Sequence, residues 1–250
     1  MAAVICHFRV ERQLFNVESF DMPLALVTCG PAHEPIDGVR RITNQSTGEL
    51  GTILSESLSA SGFEVLCLRG EMATHPAPHT AKVVRFSTNA SLMTILQRLP
   101  VQPVAVFHAA ALCDFAVHRI EGTGEARKIS SAVAELRLIL RPAEKILPRL
   151  RALVPEALIV GWKYELDGSR ADAVSRGREQ IKTSNTNACV VNGGAYGEGF
   201  GFLERDSGTF QHLASKADLC AFLAGWSLQA LSRHPLSAKA DRLQPFQAER

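Results

Sequence analysis

The sequence predicts an α/β protein in which a mostly parallel β-sheet is covered by helices on both faces. Short apolar runs alternate along the chain with longer segments whose apolar residues recur every three or four positions. The runs are nearly continuous, as expected for strands buried on both faces. A length of 250 residues, of which 46% are hydrophobic and 21% charged, suits a single domain. We expect its ordered core at about 22–232, with loosely ordered tails.

The first half of the chain contains clear strand and helix signals. LALVT at 24–28 predicts a buried strand, and 49–61 predicts a helix because its leucine and isoleucine residues share one face. Gly62 would end that helix, since glycine readily adopts the left-handed conformation found after helix C-termini. The other predicted elements of this half are strands at 64–68, 82–86 and 104–110 and a helix after Thr88.

The second half continues the alternation and adds a hairpin. Charged and apolar residues alternate at 135–140, which predicts a strand with one face in water. The segment 200–211 predicts a hairpin turning at 206–208, and therefore a small antiparallel extension of the sheet. The remaining predicted elements are helices at 143–153, at 170–183 and from Ser215 to about Ser232, and strands at 157–162 and 188–192.

Ligands of such sheets bind beyond the carboxyl ends of the strands. In this sequence, the segments that directly follow predicted strands lack the continuous apolar pattern of the protein core. They are TCGPAHEP at 28–35, HAAALCDF at 108–115, GWKYE at 161–165 and VNGG at 191–194. We therefore expect a binding site where they meet.

The run ITNQSTGELG at 42–51 leads into the first predicted helix. Ser46, Thr47 and Gly48 lie at its N-terminus, where unpaired N–H groups and the helix dipole favour an anion. Arg40 and Arg41 just upstream suit a carboxylate or phosphate. The alternative is a capped helix, in which a hydroxyl satisfies the backbone and nothing binds. The glycines of the run would admit either a phosphate or a neighbouring strand.

Other polar residues at the strand ends are candidates for ligand contacts. Asp114 follows a run of alanines that leaves room for a flat ring, so it would accept ribose hydroxyls or merely cap the next segment. Lys163 directly follows a buried strand and should face the ligand crevice. Lys128 lies in a loop rich in glycine and charge, where a lysine is usually solvated. Asn192 would bond a substrate or shape the glycine turn that follows.

Composition and motifs argue against several other functions. The net charge of +2 gives no reason to expect nucleic acid or a membrane partner, and no apolar run approaches the ~20 residues of a membrane span. His75 and His79 are separated by prolines, so no protein-bound metal is predicted. GxSxG and GxxxxGK[ST] motifs are absent. The six scattered cysteines favour buried thiols and a cytoplasmic location.

Taken together, these segments resemble the phosphopantothenate–cysteine ligases of coenzyme A synthesis. Residues 28–51, TCGPAHEPIDGVRRITNQSTGELG, agree at nearly every fixed position with the family pattern TxGPxxEPxDxVRxIxNxSxGxxG. AALCDF at 110–115 is similar to a second family motif, and KISS at 128–131 to the family's lysine loop. The resemblance extends from about Leu24 to Asn192.

The resemblance implies a three-layer, modified Rossmann-like fold, a homodimer and acyl-nucleotide chemistry. In this family CTP or ATP, with Mg²⁺, activates the carboxylate of 4′-phosphopantothenate, and pyrophosphate leaves. The amine of L-cysteine then displaces the nucleoside monophosphate. We expect no flavin, because few residues precede the first motif, where bifunctional members carry a flavin-dependent decarboxylase domain.

The resemblance also implies site residues. Arg40, Asn44 and Lys128 would be catalytic, with Asn44 holding the acyl-phosphate intermediate and Arg40 near the substrate; Asn192 is a further substrate-binding candidate. The residues implied to bind the nucleotide are Gly30, Ser46, Gly48, Ala110, Asp114, Phe115, Lys128, Lys145, Trp162 and Lys163. Trp162 replaces a phenylalanine that is usual beside the base. RPAEKIL at 141–147 and GWKYELD at 161–167 are closer to stand-alone and eukaryotic ligases, so the choice between CTP and ATP stays open.

The sequence pattern raises two alternatives to a ligase. A short-chain NAD(P)-dependent oxidoreductase needs a Tyr-x3-Lys motif, but the residues four past Tyr164 and Tyr196 are Gly168 and Phe200. The sequence therefore lacks the catalytic motif that this alternative requires. A non-catalytic nucleotide-binding paralogue of the same fold stays open, because the sequence departs from the family pattern near 143 and 193.

Overall fold

The computed structural model describes residues 22–122, 127–205, 208 and 210–233. In these residues, the strands are β1 (Leu24–Cys29), β2 (His33–Pro35), β3 (Arg41–Thr43), β4 (Glu64–Gly70), β5 (Lys82–Phe86), β6 (Ala105–His108), β7 (Phe115–Glu121), β8 (Arg137–Pro142), β9 (Leu158–Tyr164), β10 (Ala188–Asn192), β11 (Phe200–Glu204) and β12 (Phe210–Leu213). The helices are α1 (Glu49–Ala60), α2 (Asn89–Gln97), α3 (Leu147–Leu153), α4 (Arg170–Ser184) and α5 (Lys216–Arg233).

The central sheet has eight strands in the order β12-β11-β10-β9-β6-β1-β4-β5. The strands from β10 to β5 in that order are parallel to one another. At the other edge β10 pairs antiparallel with β11, and β11 pairs antiparallel with β12. The predicted α/β fold, a mostly parallel Rossmann-like sheet with flanking helices and an antiparallel extension, is confirmed.

The position of β1 in the middle of this sheet locates the ligand crevice. From β1 the chain proceeds to β4 and β5 on one side, and it then crosses to β6, β9 and β10 on the other side. The direction of winding therefore reverses between β1 and β6. Segments that leave the carboxyl ends of two such strands diverge and leave a crevice between them, where ligands of open α/β sheets bind.

Alternate residues of β1 enter two different cores, because successive side chains of a strand point to opposite faces. Ala25 and Val27 pack in a cluster with residues of α1 and α5. Leu24 and Leu26 pack in a second cluster with residues of α2 and α3. This double burial explains why LALVT is apolar throughout, and it gives the protein three layers.

The predicted strand at 135–140 forms as β8 but does not join the central sheet. It pairs with β7, which the sequence did not predict, in a separate two-stranded ribbon. Large apolar side chains of this ribbon are in water: Phe115 on β7 is 54% exposed and Leu140 on β8 is 41% exposed. The strand was predicted with one wet face, whereas every residue of β8 is at least partly exposed.

The helix predicted at 143–153 begins later, at Leu147. Pro148 lies in its first turn, where a fixed φ and a missing N–H are tolerated. The preceding residues form an extended connection, in which the Ala143 N–H donates to the Asp114 carbonyl at 2.9 Å. The short hairpin of β2 and β3 was also not predicted.

At the C-terminal side the predicted hairpin is present as β11 and β12, and Ser215 caps α5 by accepting from the Asp218 N–H at 3.1 Å. Asp206 and Ser207 of the predicted turn, and both predicted loose tails, lie outside the described residues. Within the described part of the chain, no helix is long and apolar enough to cross a membrane.

Candidate active site

The segments that follow β1 and β6 lie side by side at the crevice. The Ala111 N–H donates to the Gly30 carbonyl, and the Ala32 N–H donates to the Ala111 carbonyl, both at 3.0 Å. These bonds continue the pairing of the two strands beyond their ends. At the neighbouring strands, the Glu165 N–H donates to the Asn192 carbonyl at 2.9 Å. The strand-end segments therefore meet in pairs, as their positions after parallel strands predict.

Asn44 joins the first predicted motif to the second. Its Nδ2 donates to the carbonyl oxygens of Leu112 at 2.8 Å and of Ala111 at 3.2 Å. Because carbonyls can only accept, these contacts fix the orientation of the amide. Oδ1 makes no hydrogen bond with another described residue. Holding an acyl phosphate through the N–H groups would therefore require one of the carbonyl contacts to open.

Arg40 joins the first predicted motif to the lysine loop. Its guanidinium donates to the Ile129 carbonyl and to Asp37 Oδ2, and that oxygen also accepts from the Ile129 N–H at 3.1 Å. Hydrogen bonds from the backbone of Val39 and Ile129, aided by Arg40, lower the pKa of Asp37 below its ordinary value. The anchored loop presents Lys128, which is exposed and makes no ion pair with another described residue. Arg41 points elsewhere, to Glu71 at 2.9 Å.

The start of α1 is built by close backbone packing. Gly48 occupies the N-cap position with φ at 81°, in the left-handed region that favours glycine. It provides no side-chain cap, and Thr47 Oγ1 accepts only the Glu49 N–H, at 3.3 Å. A Cβ at Gly51 would lie 2.1 Å from Cys29 Cβ, so this glycine lets helix and strand approach. Ser46 is half-buried beside this turn, and Gly30 packs against Ala73.

A cavity of about 500 Å³ opens beside the segment that follows β6. This is within the usual size of a small-molecule site. Five of the residues implied to bind the nucleotide line it, namely Ala110, Asp114, Lys145, Trp162 and Lys163. The other predicted site residues do not line the cavity; they are Gly30, Arg40, Asn44, Ser46, Gly48, Phe115, Lys128 and Asn192. The structure thus divides the predicted residues between the cavity and the adjoining crevice.

An ion pair between Asp114 and Lys145 lies at the exposed side of the cavity. The backbone beside Asp114 is held by Asn89, whose Nδ2 donates to the Cys113 carbonyl at 2.8 Å and whose Oδ1 accepts from the Cys113 N–H at 3.1 Å. Because the Asp114 side chain is 68% exposed, it stays accessible to a ligand.

One wall of the cavity comes from α4, which the sequence did not indicate as part of a site. Arg176, Glu179, Gln180 and Thr183 line it. Their spacing of three, four and seven residues places polar side chains on one helix face, and this was the signal available in the sequence. Asn89 was also missed. His108 lies in the strand-end segment 108–115 that was expected at the site, but it was not singled out, although it interrupts an apolar strand at its carboxyl end.

Glu165 neutralises the cationic side of the cavity. Its carboxylate pairs with Lys163 at 3.0 Å and with Arg176. Burial raises the pKa of Glu165, but hydrogen bonds and charge from these two cations outweigh burial and leave that pKa below its ordinary value. Lys163 therefore faces the crevice, as predicted, but shares its charge with a carboxylate.

The remaining predicted residues lie near the site with their side chains turned elsewhere. Trp162 borders the cavity, but its ring packs against the core cluster on the opposite face of the sheet, and its Nε1 is buried without a described hydrogen-bond partner. Phe115 begins the exposed ribbon, and Asn192 ends β10 away from the cavity. Among the described residues, no group of three or more His, Cys, Asp or Glu could hold a metal ion.

The family model for the DNA/pantothenate metabolism flavoprotein C-terminal domain matches residues 23–218. The chain belongs to this family. The resemblance to the phosphopantothenate–cysteine ligases is thereby confirmed at the level of the family.

Two named relatives support this family membership. The coenzyme A biosynthesis bifunctional protein CoaBC of Thermococcus kodakarensis is 31% identical over 186 residues, which are 74% of this chain and 44% of that protein. CoaBC of Mycobacterium tuberculosis is 29% identical over 219 residues, or 83% of this chain and 50% of that protein. The chain thus spans about half, or less, of the length of these family members.

Solved structures of similar proteins share the fold. The DNA/pantothenate metabolism flavoprotein from Streptococcus pneumoniae superposes with a TM-score of 0.72 at 24% identity, covering 84% of this chain and 99% of that one. A mutant of Cab2 in complex with phosphopantothenate-cysteine superposes with a TM-score of 0.68 at 18% identity, covering 93% and 94%. These likenesses extend the family's fold to nearly the whole described chain.

Proposed function

We propose that this protein is a phosphopantothenate–cysteine ligase that acts through an acyl-nucleotide intermediate. The observation that carries the proposal is the joining of three sequence motifs at one crevice. Asn44 bonds the ITNQSTGELG run to AALCDF, and Arg40 bonds the same strand-end segment to the KISS loop. A relative of the same fold was solved with phosphopantothenate-cysteine, the product of this reaction.

The proposed reaction has two steps. A carboxylate oxygen of 4′-phosphopantothenate attacks the α-phosphorus of a nucleoside triphosphate, and pyrophosphate leaves. The amine of L-cysteine then attacks the acyl carbon, the bond to the phosphate oxygen breaks, and nucleoside monophosphate leaves. The first step joins two anions, so cations and N–H donors must stabilise the charge that develops. Arg40, Lys128 and the uncapped N-terminus of α1 supply them in this proposal.

The nucleotide is proposed to lie across both parts of the site. Its base and ribose would occupy the 500 Å³ cavity beside Ala110, Asp114 and Lys145, and its phosphates would reach Gly30, Ser46 and Gly48. Mg²⁺ would enter with the nucleotide, since magnesium in such sites binds phosphates, water and only one or two carboxylates.

The exposed ribbon of β7 and β8 is the surface we propose for a homodimer contact. Phe115 and Leu140, on its two strands, are large apolar side chains with about half of their surface in water. A second copy of the chain would bury them, and apolar area removed from water stabilises association.

The test is a reaction of purified protein with 4′-phosphopantothenate, L-cysteine, Mg²⁺ and either CTP or ATP. Release of pyrophosphate and nucleoside monophosphate, dependent on both substrates, is the expected result. The two nucleotides run in parallel also decide which base is used. Omission of cysteine should leave the acyl-nucleotide, detectable by mass spectrometry of the quenched mixture.

The competing function is a non-catalytic nucleotide-binding paralogue. It predicts binding of CTP or ATP by calorimetry without release of pyrophosphate under any combination of substrates. That outcome would overturn the ligase proposal, and it would leave the family membership intact.

A further inference from the structure

His108 is hydrogen-bonded to Thr28 on the neighbouring strand. The two residues are partners in the parallel register of β6 and β1, and Thr28 Oγ1 lies 2.8 Å from His108 Nδ1. The same Oγ1 accepts from the Ala110 N–H at 3.3 Å. Thr28 is fully buried and has no other described acceptor for its hydroxyl proton. Its hydroxyl therefore donates to Nδ1, which leaves the ring proton on Nε2.

The Nε2–H group of His108 has no acceptor within the described chain. Nδ1 and Nε2 flank the same ring carbon and their hydrogen-bonding directions diverge, so a ring whose Nδ1 faces Thr28 turns Nε2 away from that hydroxyl. His108 borders the cavity while only 7% exposed. Its Nε2 is not one of the fully buried polar atoms that lack a partner among the described residues, which means that this atom is accessible from the cavity. Burial lowers the pKa of His108 to about 4, so the ring is neutral at pH 7. A donor at the surface of a cavity that has no acceptor in the protein finds its acceptor in water or in a ligand.

The floor of the cavity beside this donor is formed by Leu147 and Gln180, which pack over Gly161. Gly161 is the register partner of His108 on β9. A Cβ at position 161 would lie 2.9 Å from Leu147 Cδ2 and 3.3 Å from Gln180 Oε1. Glycine at 161 therefore lets these two side chains pack against the strand next to the imidazole.

The chemistry of the floor suits an uncharged acceptor. The cations that line the cavity are Lys145, Lys163 and Arg176, and each is paired with a carboxylate, either Asp114 or Glu165. A neutral N–H in this setting matches a ring nitrogen or a carbonyl oxygen better than a phosphate, which takes charge-assisted hydrogen bonds. Nucleobases carry such acceptors on a flat ring.

We propose that His108 is a further nucleotide-binding residue whose Nε2–H donates to an acceptor on the base, with Thr28 as the positioning residue that selects this tautomer. The inference rests on the proposed function, since it requires a nucleotide in the cavity. It adds a neutral donor to a cavity whose lysine and arginine side chains are all ion-paired.

Two substitutions separate the two nitrogens of the ring. In His108→Asn the amide oxygen can take the place of Nδ1 and accept from Thr28, but no group reaches the position of Nε2. In His108→Gln the amide nitrogen can take the place of Nε2, but the acceptor for Thr28 is lost. The affinities of Mg–CTP and Mg–ATP are measured by calorimetry, with Mg–pyrophosphate as a base-free probe, and thermal unfolding is followed for each variant.

We expect His108→Asn to weaken binding of the preferred nucleotide about tenfold, in line with the loss of one hydrogen bond that leaves an unpaired acceptor. Its affinity for Mg–pyrophosphate and its Tm should stay near those of the unsubstituted protein. His108→Gln should retain nucleotide affinity to within about threefold but unfold at a lower temperature, because buried Thr28 loses its acceptor.

If His108 had only a structural role, His108→Asn would bind the nucleotide with unchanged affinity. That result would overturn the proposal while leaving the ligase function in place. If the unsubstituted protein binds neither nucleotide, both proposals fall together. Nitrogen-15 NMR of the imidazole gives a second readout, in which the signal of His108 is identified by its absence from His108→Gln. This signal should report the Nε2-protonated tautomer. Its Hε2 resonance should shift when nucleotide is added but not when pyrophosphate is added. An Hε2 resonance unmoved by saturating nucleotide would also overturn the proposal.

Discussion

Nη1 and Nη2 of Arg40 both lie 3.2 Å from the backbone oxygen of Ile129, and both donate to it. These residues are 89 positions apart in the chain. The contact joins the segment after β1 to the lysine loop, so Lys128 is presented beside the crevice by a residue outside its own loop. Arg40 therefore fixes the position of Lys128 from outside its loop, and contact with the substrate is its proposed second role.

Replacing Arg40 by lysine should release the lysine loop. A single ammonium cannot reproduce the planar fork that reaches both Ile129 and Asp37. We expect faster tryptic cleavage next to Lys128 and a turnover reduced at least about tenfold, as is typical for loss of a charge-assisted contact. Arg41→Lys is the matched control, because Arg41 pairs with Glu71 away from the loop. Equal cleavage rates in the two variants would contradict the anchoring role.

Asn44→Asp should block formation of the acyl-nucleotide. A carboxylate cannot donate to the carbonyls of Ala111 and Leu112, and it adds negative charge where two anions must meet. We expect turnover to fall by about a hundredfold, with little acyl-nucleotide in quenched mixtures without cysteine. Gln45→Glu, which adds the same charge at an exposed neighbour, should have a small effect. Near-normal turnover in Asn44→Asp would rule out the role given to Asn44.

Lys128→Ala should slow the reaction without unfolding the protein. Lys128 is exposed and unpaired among the described residues, so its removal costs little stability. A charge-assisted contact to the nucleotide contributes about 1.5–3 kcal/mol, which corresponds to a loss of about 10- to 150-fold in rate. Lys82→Ala is the control, because Lys82 is the first residue of the edge strand β5 and so lies at the end of the sheet opposite the strands' carboxyl ends. An unchanged rate in Lys128→Ala would mean that this lysine is only solvated.

Stability should fall as the pH is lowered from about 6.5 to about 4, partly because of His108. Burial lowers the pKa of this histidine from 6.5 to about 4 in the folded protein. Between these pH values the unfolded chain binds more protons than the folded protein does. The stability contributed by neutral His108 is therefore complete above pH 6.5 and is lost as the pH falls towards 4. It amounts to about 3 kcal/mol at most. Chemical denaturation at both ends of the window measures it.

His108→Asn is the comparison for this pH effect. Carboxylates titrate in both proteins, so the difference between their pH profiles isolates the histidine. The variant should lose less stability on acidification than the unsubstituted protein. Parallel profiles would show that His108 does not become protonated on unfolding in this range.

Leu140→Asp should convert the proposed dimer into monomers. Leu140 lies on the exposed ribbon, and a buried carboxylate at an apolar interface is strongly unfavourable. Sedimentation velocity measures the result. Leu228→Asp is the control, since Leu228 on α5 is 44% exposed, close to the 41% of Leu140, but lies outside the ribbon. A monomeric unsubstituted protein, or dimers in both variants, would exclude the ribbon as the interface.

The fold was predictable where local sequence and burial agree. LALVT is apolar throughout because both faces of β1 are covered, and the helix at 49–61 was found because one apolar face packs on the sheet. The ribbon was not predictable in the same way. Alternation in ELRLIL indicates a strand, but its partner β7 and its separation from the sheet depend on distant chain segments.

The candidate site was predictable as a set of motifs and less so as a geometry. The strand-end rule and the family pattern indicated Ala110, Asp114, Lys145 and Lys163, and the structure brings them to one cavity. The wall on α4 was missed, because a polar helix face is the usual solvent-exposed side. Trp162 was expected beside the base, but strand alternation turns its ring to the other face of the sheet.

By itself, the sequence determined the α/β class, the family and most element positions, because these depend on local periodicity and on residue types at fixed spacing. Only the tertiary structure decided which groups meet across the crevice. Asn44 contacts Leu112, Arg40 contacts Ile129, and Thr28 directs the proton of His108. Such contacts join residues far apart in the chain, and they arise from strand order and register, which no local pattern encodes.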